Sequence, residues 1–453
     1  MRASETTSRG DTVVTQFHTG RRFAARAACS LLVLCAAVEP LTSWARVELG
    51  APAGKADATI GCMFPMTGRA AIYGRDSIAG MKLALADLAR DGTPAPALRV
   101  LIDDTRSKAS YAVRIAEDFI HRDGARFLCG MVSSGVAHAV SQTAQRNRVI
   151  MVGTDHASSR LTIEAFHKYY FRVSNDSYTS MAAGARYLAE LQRKTGWKRL
   201  AFIAPDYDYG HVSWIDLRSN FERLGVKFDL VGMFWPKLYE PDYSPYIDAL
   251  QKAEPEIVVT ALWGGDFIAF MKQAASTDFF DRTRLANFDT GANYEVMVAL
   301  GDKPPKGLIV SARHHNNWPE SERNRRFVND FHKAEGRFPT YAAEGAYSGI
   351  MMIAAAIRKA GSATDTDAIV AALEGLHLQL PEDPDGFTSY IDPDTHQIVQ
   401  MQAVGEVVPD DRFPPARVMV GNWTVYRAED LSPPPALVRE RRSRAAGTAD
   451  YFP

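Results

Sequence analysis

An α/β fold of two lobes, each with a parallel sheet covered by helices, is predicted by three observations. From Thr59 onward, short apolar β-rich runs alternate with amphipathic helical segments, the pattern of parallel strands joined by helical crossovers. The alternation forms two successive series of similar size, and 453 residues are too many for one compact core. Finally, Arg126–Gln142 (RFLCGMVSSGVAHAVSQ) runs an apolar strand into Ser133-Ser134-Gly135 and directly into a helix. The first N–H groups of a helix lack internal partners and carry its positive dipole end, so this junction suits a small carboxylate. The same serines also suit ordinary N-capping, and the local sequence leaves both readings open.

In the first series, Thr59–Pro65 reads as a strand and Ser77–Arg90 as a helix with apolar residues at helical spacing. The strand Leu98–Asp103, helix Ala109–Asp123, strand Arg126–Val132 and strand Val149–Gly153 follow. After Phe171-Arg172-Val173 the second series reads helix Tyr178–Thr195, strand Arg199–Ala204, helix Val212–Leu224 and strand Phe228–Phe234. It continues with helix Tyr243–Ala253, strand Glu256–Ala261, helix Asp266–Ser276 and strand Arg284–Asn287. A strand at Gly307–Ala312, a helix at Tyr341–Lys359 and a strand-like run at Ile398–Val408 complete the ordered part.

The ends differ. Arg21, Arg22 and Arg26 precede the apolar run Ala27–Val38, then Pro40 and Ser43-Trp44-Ala45, the order of an export signal over 1–45 with cleavage after Ala45. Residues 46–57 read as a Gly/Pro/Ala linker. At the other end, Ser432–Pro435 and Arg439, Arg441, Arg442 and Arg444 show no apolar periodicity, so 427–453 reads as a disordered or loosely packed tail. Without the leader's Cys29 and Cys35, Cys62 and Cys129 remain, both in strands of one sheet, as a disulfide or as adjacent thiols.

A net charge of −1 and 46% hydrophobic residues give no pull toward nucleic acid. Gly61–Gly68 reads GCMFPMTG, not G-x-G-x-x-G; no phosphate-binding G-x-x-x-x-G-K-[ST] occurs; no G-x-S-x-G frames the serines. No cofactor and no metal are expected. His314-His315, beside Asn316, Asn317 and Trp318, reads as a surface loop. The remaining candidates are loops at the carboxyl ends of strands, where open α/β sheets bind ligands. They are Thr67–Gly74, Ser133–Gly135, Thr154–Ser159, Asp206–Gly210, Trp263–Asp266 and Phe288–Asn293.

The order of these pieces resembles the type I periplasmic solute-binding proteins of ABC importers, the leucine/isoleucine/valine-binding protein-like family. The carrying residues are IGCMFPMTGRAAIYG with SIAGMKLALADL, DDTRSKASYAVRIAEDFI, GMVSSGVAHAV, FRVSNDSYTSMAAGARYL, APDYDYGHVSW and PTYAAEGAYSGIMMIAAAI. The resemblance implies two Rossmann-like lobes joined by three crossovers, at Phe171–Ser174, Val310–Ala312 and near Asp394–Val399, closing on a ligand by hinge motion. The N-terminal lobe is then 58–173 plus 312–396, and the C-terminal lobe 174–311 plus 397–426. It further implies a periplasmic monomer without catalytic activity that delivers an amino acid of branched-chain type, or a related carboxylate, to ABC permease subunits.

Carried over by position, Ser133 and Ser134 meet the ligand carboxylate, and Ala157 adds backbone contacts. Tyr73 and Tyr209 close over the ligand, Trp263 stands where such binders often carry tyrosine, and Asp289 or Thr290 where they carry an acid for the ammonium. Asp155 and His156 replace small residues of the amino-acid binders, which brings polar or aromatic carboxylates into range. Two rival readings are a sensory subunit for a membrane receptor and an exported hydrolase using Ser134 with His138 or His156.

Overall fold

The computed structural model describes residues 44–90 and 94–446. The expected leader, except for Trp44 and Ala45, and the chain end beyond 446 lie outside the described residues.

Two sheets organise the chain. The first has six strands in the order Val47–Gly50, Leu98–Asp104, Ala58–Phe64, Phe127–Gly130, Ile150–Gly153 and Tyr170–Arg172, all pairings parallel except the outermost. Ala58–Phe64 is flanked on one side by the strand that follows it and on the other by the next one, so the winding reverses at its carboxyl end. That reversal opens the crevice into which Met131–Ser134 emerges. The second sheet has seven strands, with Arg199–Ile203 between Asp229–Phe234 and Ile257–Thr260. It therefore reverses just before Tyr207 and Tyr209. Beyond Arg284–Asn287 and Ile309–Val310 it is completed by Gln402–Pro409 and Val418–Tyr426, an antiparallel pair.

Local sequence accounts for the elements. Helix Ala109–His121 buries Ala112, Ile115, Ala116 and Phe119, a stripe at three- and four-residue spacing. Helix Ser177–Thr195 starts where the Asp176 side chain accepts from the Thr179 N–H and stops at Gly196, φ +72°. Helix Tyr341–Ala360 packs on helix Ala71–Arg90 so closely that a Cβ at Gly80 would stand 1.9 Å from the Ala343 carbonyl oxygen. Cys62 and Cys129 face each other in the register of adjacent parallel strands and form a disulfide.

Three expectations are corrected. The segment expected as a linker contains the edge strand Val47–Gly50, antiparallel to Leu98–Asp104; its pairing is non-local and leaves no mark on a Gly/Pro/Ala-rich composition. The described part of the expected loose tail is helical at Ala428–Leu431 and Pro435–Ala446. Ala428, Leu431 and Val438 are buried, too few to make a periodic stripe, and Arg441 is bonded to Glu164 and Asp216, which is why periodicity did not reveal it. His314 and His315 are buried, not in a surface loop: His314 bonds Asn324, and His315 packs edge-on to Trp423. Helices Glu322–Glu335 and Thr366–Leu373 and strand Val418–Tyr426 were not anticipated at all.

Candidate functional site

Ser133 occupies the N-cap position of helix Ser134–Asn147 with extended backbone, yet its side chain makes no capping hydrogen bond. The Ser134 hydroxyl instead accepts from the Ser158 N–H at 3.2 Å. The first-turn N–H groups thus keep their polarity without the partner that ordinary capping supplies. Met131, just before them, is held at φ +62°. Its carbonyl accepts from the His156 N–H at 3.1 Å and lies 3.0 Å from His156 Nδ1.

His156 belongs to a buried chain. Arg172 Nε donates to the Tyr170 hydroxyl at 3.0 Å, and that hydroxyl lies 2.7 Å from His156 Nε2. Burial, with Arg172 next in effect, drives the His156 pKa well below its usual value, so the ring is neutral. A neutral ring donating from Nδ1 to Met131 accepts from Tyr170 at Nε2. His156 thereby ties the two first-lobe loops together.

From the second lobe, Tyr209 on helix Asp208–Leu224 donates to Asp289 Oδ2 at 2.6 Å, and Ser180 donates to Oδ1 at 3.0 Å. Trp263 Nε1 donates to the Tyr207 hydroxyl at 3.1 Å. Thr290 turns away toward its own lobe, its hydroxyl donating to the Leu262 carbonyl at 3.4 Å. Tyr73, from the first lobe, donates to Glu295 Oε1 at 2.6 Å, stacks on Tyr341 at 5.6 Å and meets Trp263 at 6.0 Å.

The centre of this arrangement is Arg313, which the sequence reading did not select. Its Nε and Nη2 donate to Asp289 at 2.9 and 2.6 Å, and its guanidinium lies 4.6 Å over the Tyr341 ring. Nη1 donates to the Asp155 carbonyl and lies 3.4 Å from Asp155 Oδ1. Burial favours the neutral acid at Asp289, but Arg313, Tyr209 and Ser180 outweigh it and hold its pKa below the usual range. Asp155 has the longer contact with the guanidinium, and burial pushes it up to about 7 against the pull of Arg313. Burial likewise lifts Glu295 to about 7. Glu295 and Tyr341 were also missed, although Tyr341 lies within a segment that carried the family resemblance.

Ser134, Ala157, Tyr209, Trp263, Arg313 and Tyr341 line one residual cavity of about 10 Å³, room for about one water. The two bases considered for Ser134 are both engaged elsewhere. His138 Nε2 stands 3.4 Å from Asp208 across the cleft, and both His156 nitrogens have partners.

Two α/β lobes whose facing loops enclose a buried polar and aromatic cluster define a cleft-type binding protein. The chain belongs to the periplasmic binding protein family, whose model matches residues 57–412, in the type I branch of the Leu/Ile/Val-binding proteins. A Leu/Ile/Val-binding protein homolog from Brucella melitensis is 23% identical over 379 residues, 82% of this chain and 93% of that protein. An amino acid ABC transporter substrate-binding protein from Pseudomonas fluorescens superposes with a TM-score of 0.72 at 23% identity, covering 85% of this chain and 98% of that one. A solute-binding protein from Rhodopseudomonas palustris in complex with 3,4-dihydroxybenzoic acid gives 0.71 at 22%, covering 82% and 97%. No described helix is long and apolar enough to cross a membrane.

Proposed function

We propose that this chain is the periplasmic solute-binding component of an ABC importer, and that its cleft takes an aromatic monocarboxylate of the benzoate class. The lobes divide at the three crossovers expected above, and ligand entry parts them. The observation that carries the ligand class is the bidentate Arg313–Asp289 pair. An amino-acid ammonium needs a charged buried carboxylate to itself. Asp289 has both oxygens committed, and burial pushes Asp155 and Glu295, the other buried acids of the cluster, up to about 7, toward the neutral form. Ser133, Ser134 and the uncapped helix start supply the carboxylate subsite. Tyr73, Tyr209, Trp263 and Tyr341 supply ring-sized apolar walls. Delivery to permease subunits rests on the family alone.

A thermal-shift and calorimetric screen of benzoate, 4-hydroxybenzoate and 3,4-dihydroxybenzoate against leucine, isoleucine and valine tests this. At about a hundred times the dissociation constant, a ligand stabilises by roughly 2.7 kcal/mol. Binding of a benzoate, weakened about tenfold by Ser134→Ala, is expected, since a hydrogen bond to a charged group contributes roughly 1.5–3 kcal/mol. Binding of the aliphatic amino acids with none of the benzoates overturns the ligand class.

A further inference from the structure

The family match ends at residue 412, so the helices Ala428–Leu431 and Pro435–Ala446 lie beyond it. They run from one lobe to the other. The first is fixed to the second lobe, where Ala428 and Leu431 are buried and Arg186, on helix Ser177–Thr195, donates to the Asp430 carbonyl at 2.8 Å. The second reaches the first lobe's loop between Gly153 and Tyr170.

Arg441, 5% exposed, is the contact point. Its Nε donates to Glu164 Oε1 in the first lobe at 2.7 Å, and its Nη1 to Asp216 Oδ1 in the second, also at 2.7 Å. Nη2 lies 3.2 Å from the Ser159 hydroxyl, which itself donates across the lobes to Asp216 Oδ2 at 2.8 Å. Next to it, Arg442 sits 4.1 Å over Phe166 and donates to the carbonyls of Ile163, Thr162 and Asp394. The last of these carbonyls lies where the third crossover is expected.

A buried guanidinium shared by two carboxylates resists losing either, because each departure leaves an uncompensated charge away from water. The two carboxylates here belong to different lobes. We infer that the C-terminal helix is an interlobe clamp: Arg441, seated between Glu164 and Asp216, holds the lobes together and so sets the balance between the parted and the shut cleft. The clamp acts whatever ligand the cleft takes.

The test measures lobe separation without ligand. Spin labels are placed on exposed positions of each lobe, at Lys82→Cys and Lys252→Cys, in the full chain with Cys29 and Cys35 replaced by serine. Electron double resonance then gives the interlobe distance distribution. Arg441→Met is expected to broaden that distribution and move it to longer distances. Glu164→Gln should shift it the same way, since the amide no longer carries the charge that binds Arg441. A folded Arg441→Met protein with an unchanged distribution overturns the clamp, even if its melting temperature falls. Should Arg441→Met fail to fold, Glu164→Gln decides alone, because it leaves the Arg441–Asp216 pair in place.

Discussion

Asp289 and Arg313 leave the carboxyl ends of neighbouring strands and share two hydrogen bonds, at 2.9 and 2.6 Å, with neither residue more than 7% exposed. Arg313→Ala leaves the Asp289 charge buried without a cation and is expected to cost about 3–5 kcal/mol in denaturant unfolding. The double variant with Asp289→Ala removes the orphaned charge too, and should be milder than the sum of the two single changes. Strict additivity would show that the pair does not act as a unit.

Glu344 and Glu382 are buried side by side, and burial pushes Glu344 up to about 7 while burial and Glu344 push Glu382 well above its usual value. Both hold protons more tightly folded than unfolded. The stability Glu344 supports is therefore complete below about pH 4.5 and lost as pH rises through about 7, and Glu382 acts in the same direction. Glu382→Gln, neutral at every pH, should stabilise the chain at pH 8 relative to the parent by roughly 1–3 kcal/mol. At pH 4.5 that gain should disappear. Melting curves at the two pH values check this.

Burial holds His314 down to about 4 and His315 to about 3. The unfolded rings take protons near pH 6.5, so the contribution of these residues is full above that pH and lost as pH falls through the folded values. His315→Gln should flatten the stability slope between pH 6 and pH 4, read from urea midpoints. An unchanged slope would remove His315 from the acid limb.

The Cys62–Cys129 disulfide closes a span of 67 residues. Chain-entropy bookkeeping for such a loop gives about 4 kcal/mol of stabilisation. The double Cys→Ala variant should lose stability of that order in guanidinium. A loss under about 1 kcal/mol would place the effect of the bridge outside unfolded-state entropy.

His156→Phe should loosen the Met131 and Asp155 loops together, because it breaks the run from Arg172 through Tyr170 to the Met131 carbonyl. Hydrogen exchange at Val132–Gly135 is expected to rise by about tenfold, corresponding to one hydrogen bond of roughly 1–1.5 kcal/mol. Protection unchanged at those amides would deny His156 its positioning role.

By itself, the sequence determined what depends on neighbours a few residues apart. The alternation of short apolar runs with amphipathic helices marked most strands of both sheets, though not the edge strands Val47–Gly50 and Val418–Tyr426, and placed the loops at the carboxyl ends of strands. Strand Arg284–Asn287 was read to the residue, and Ser133-Ser134 was correctly placed at a strand-to-helix junction. Tertiary structure alone decided what those loops do to one another. Asp289 was legible as an acid in the cleft, but its partner Arg313 lies 24 residues on, in a run without periodicity. The two meet only because strands Arg284–Asn287 and Ile309–Val310 pair side by side. The same holds for Arg441, whose partners Glu164 and Asp216 are 277 and 225 residues away. Periodicity records which face of an element is apolar; it carries no trace of which distant charge will neutralise a buried one.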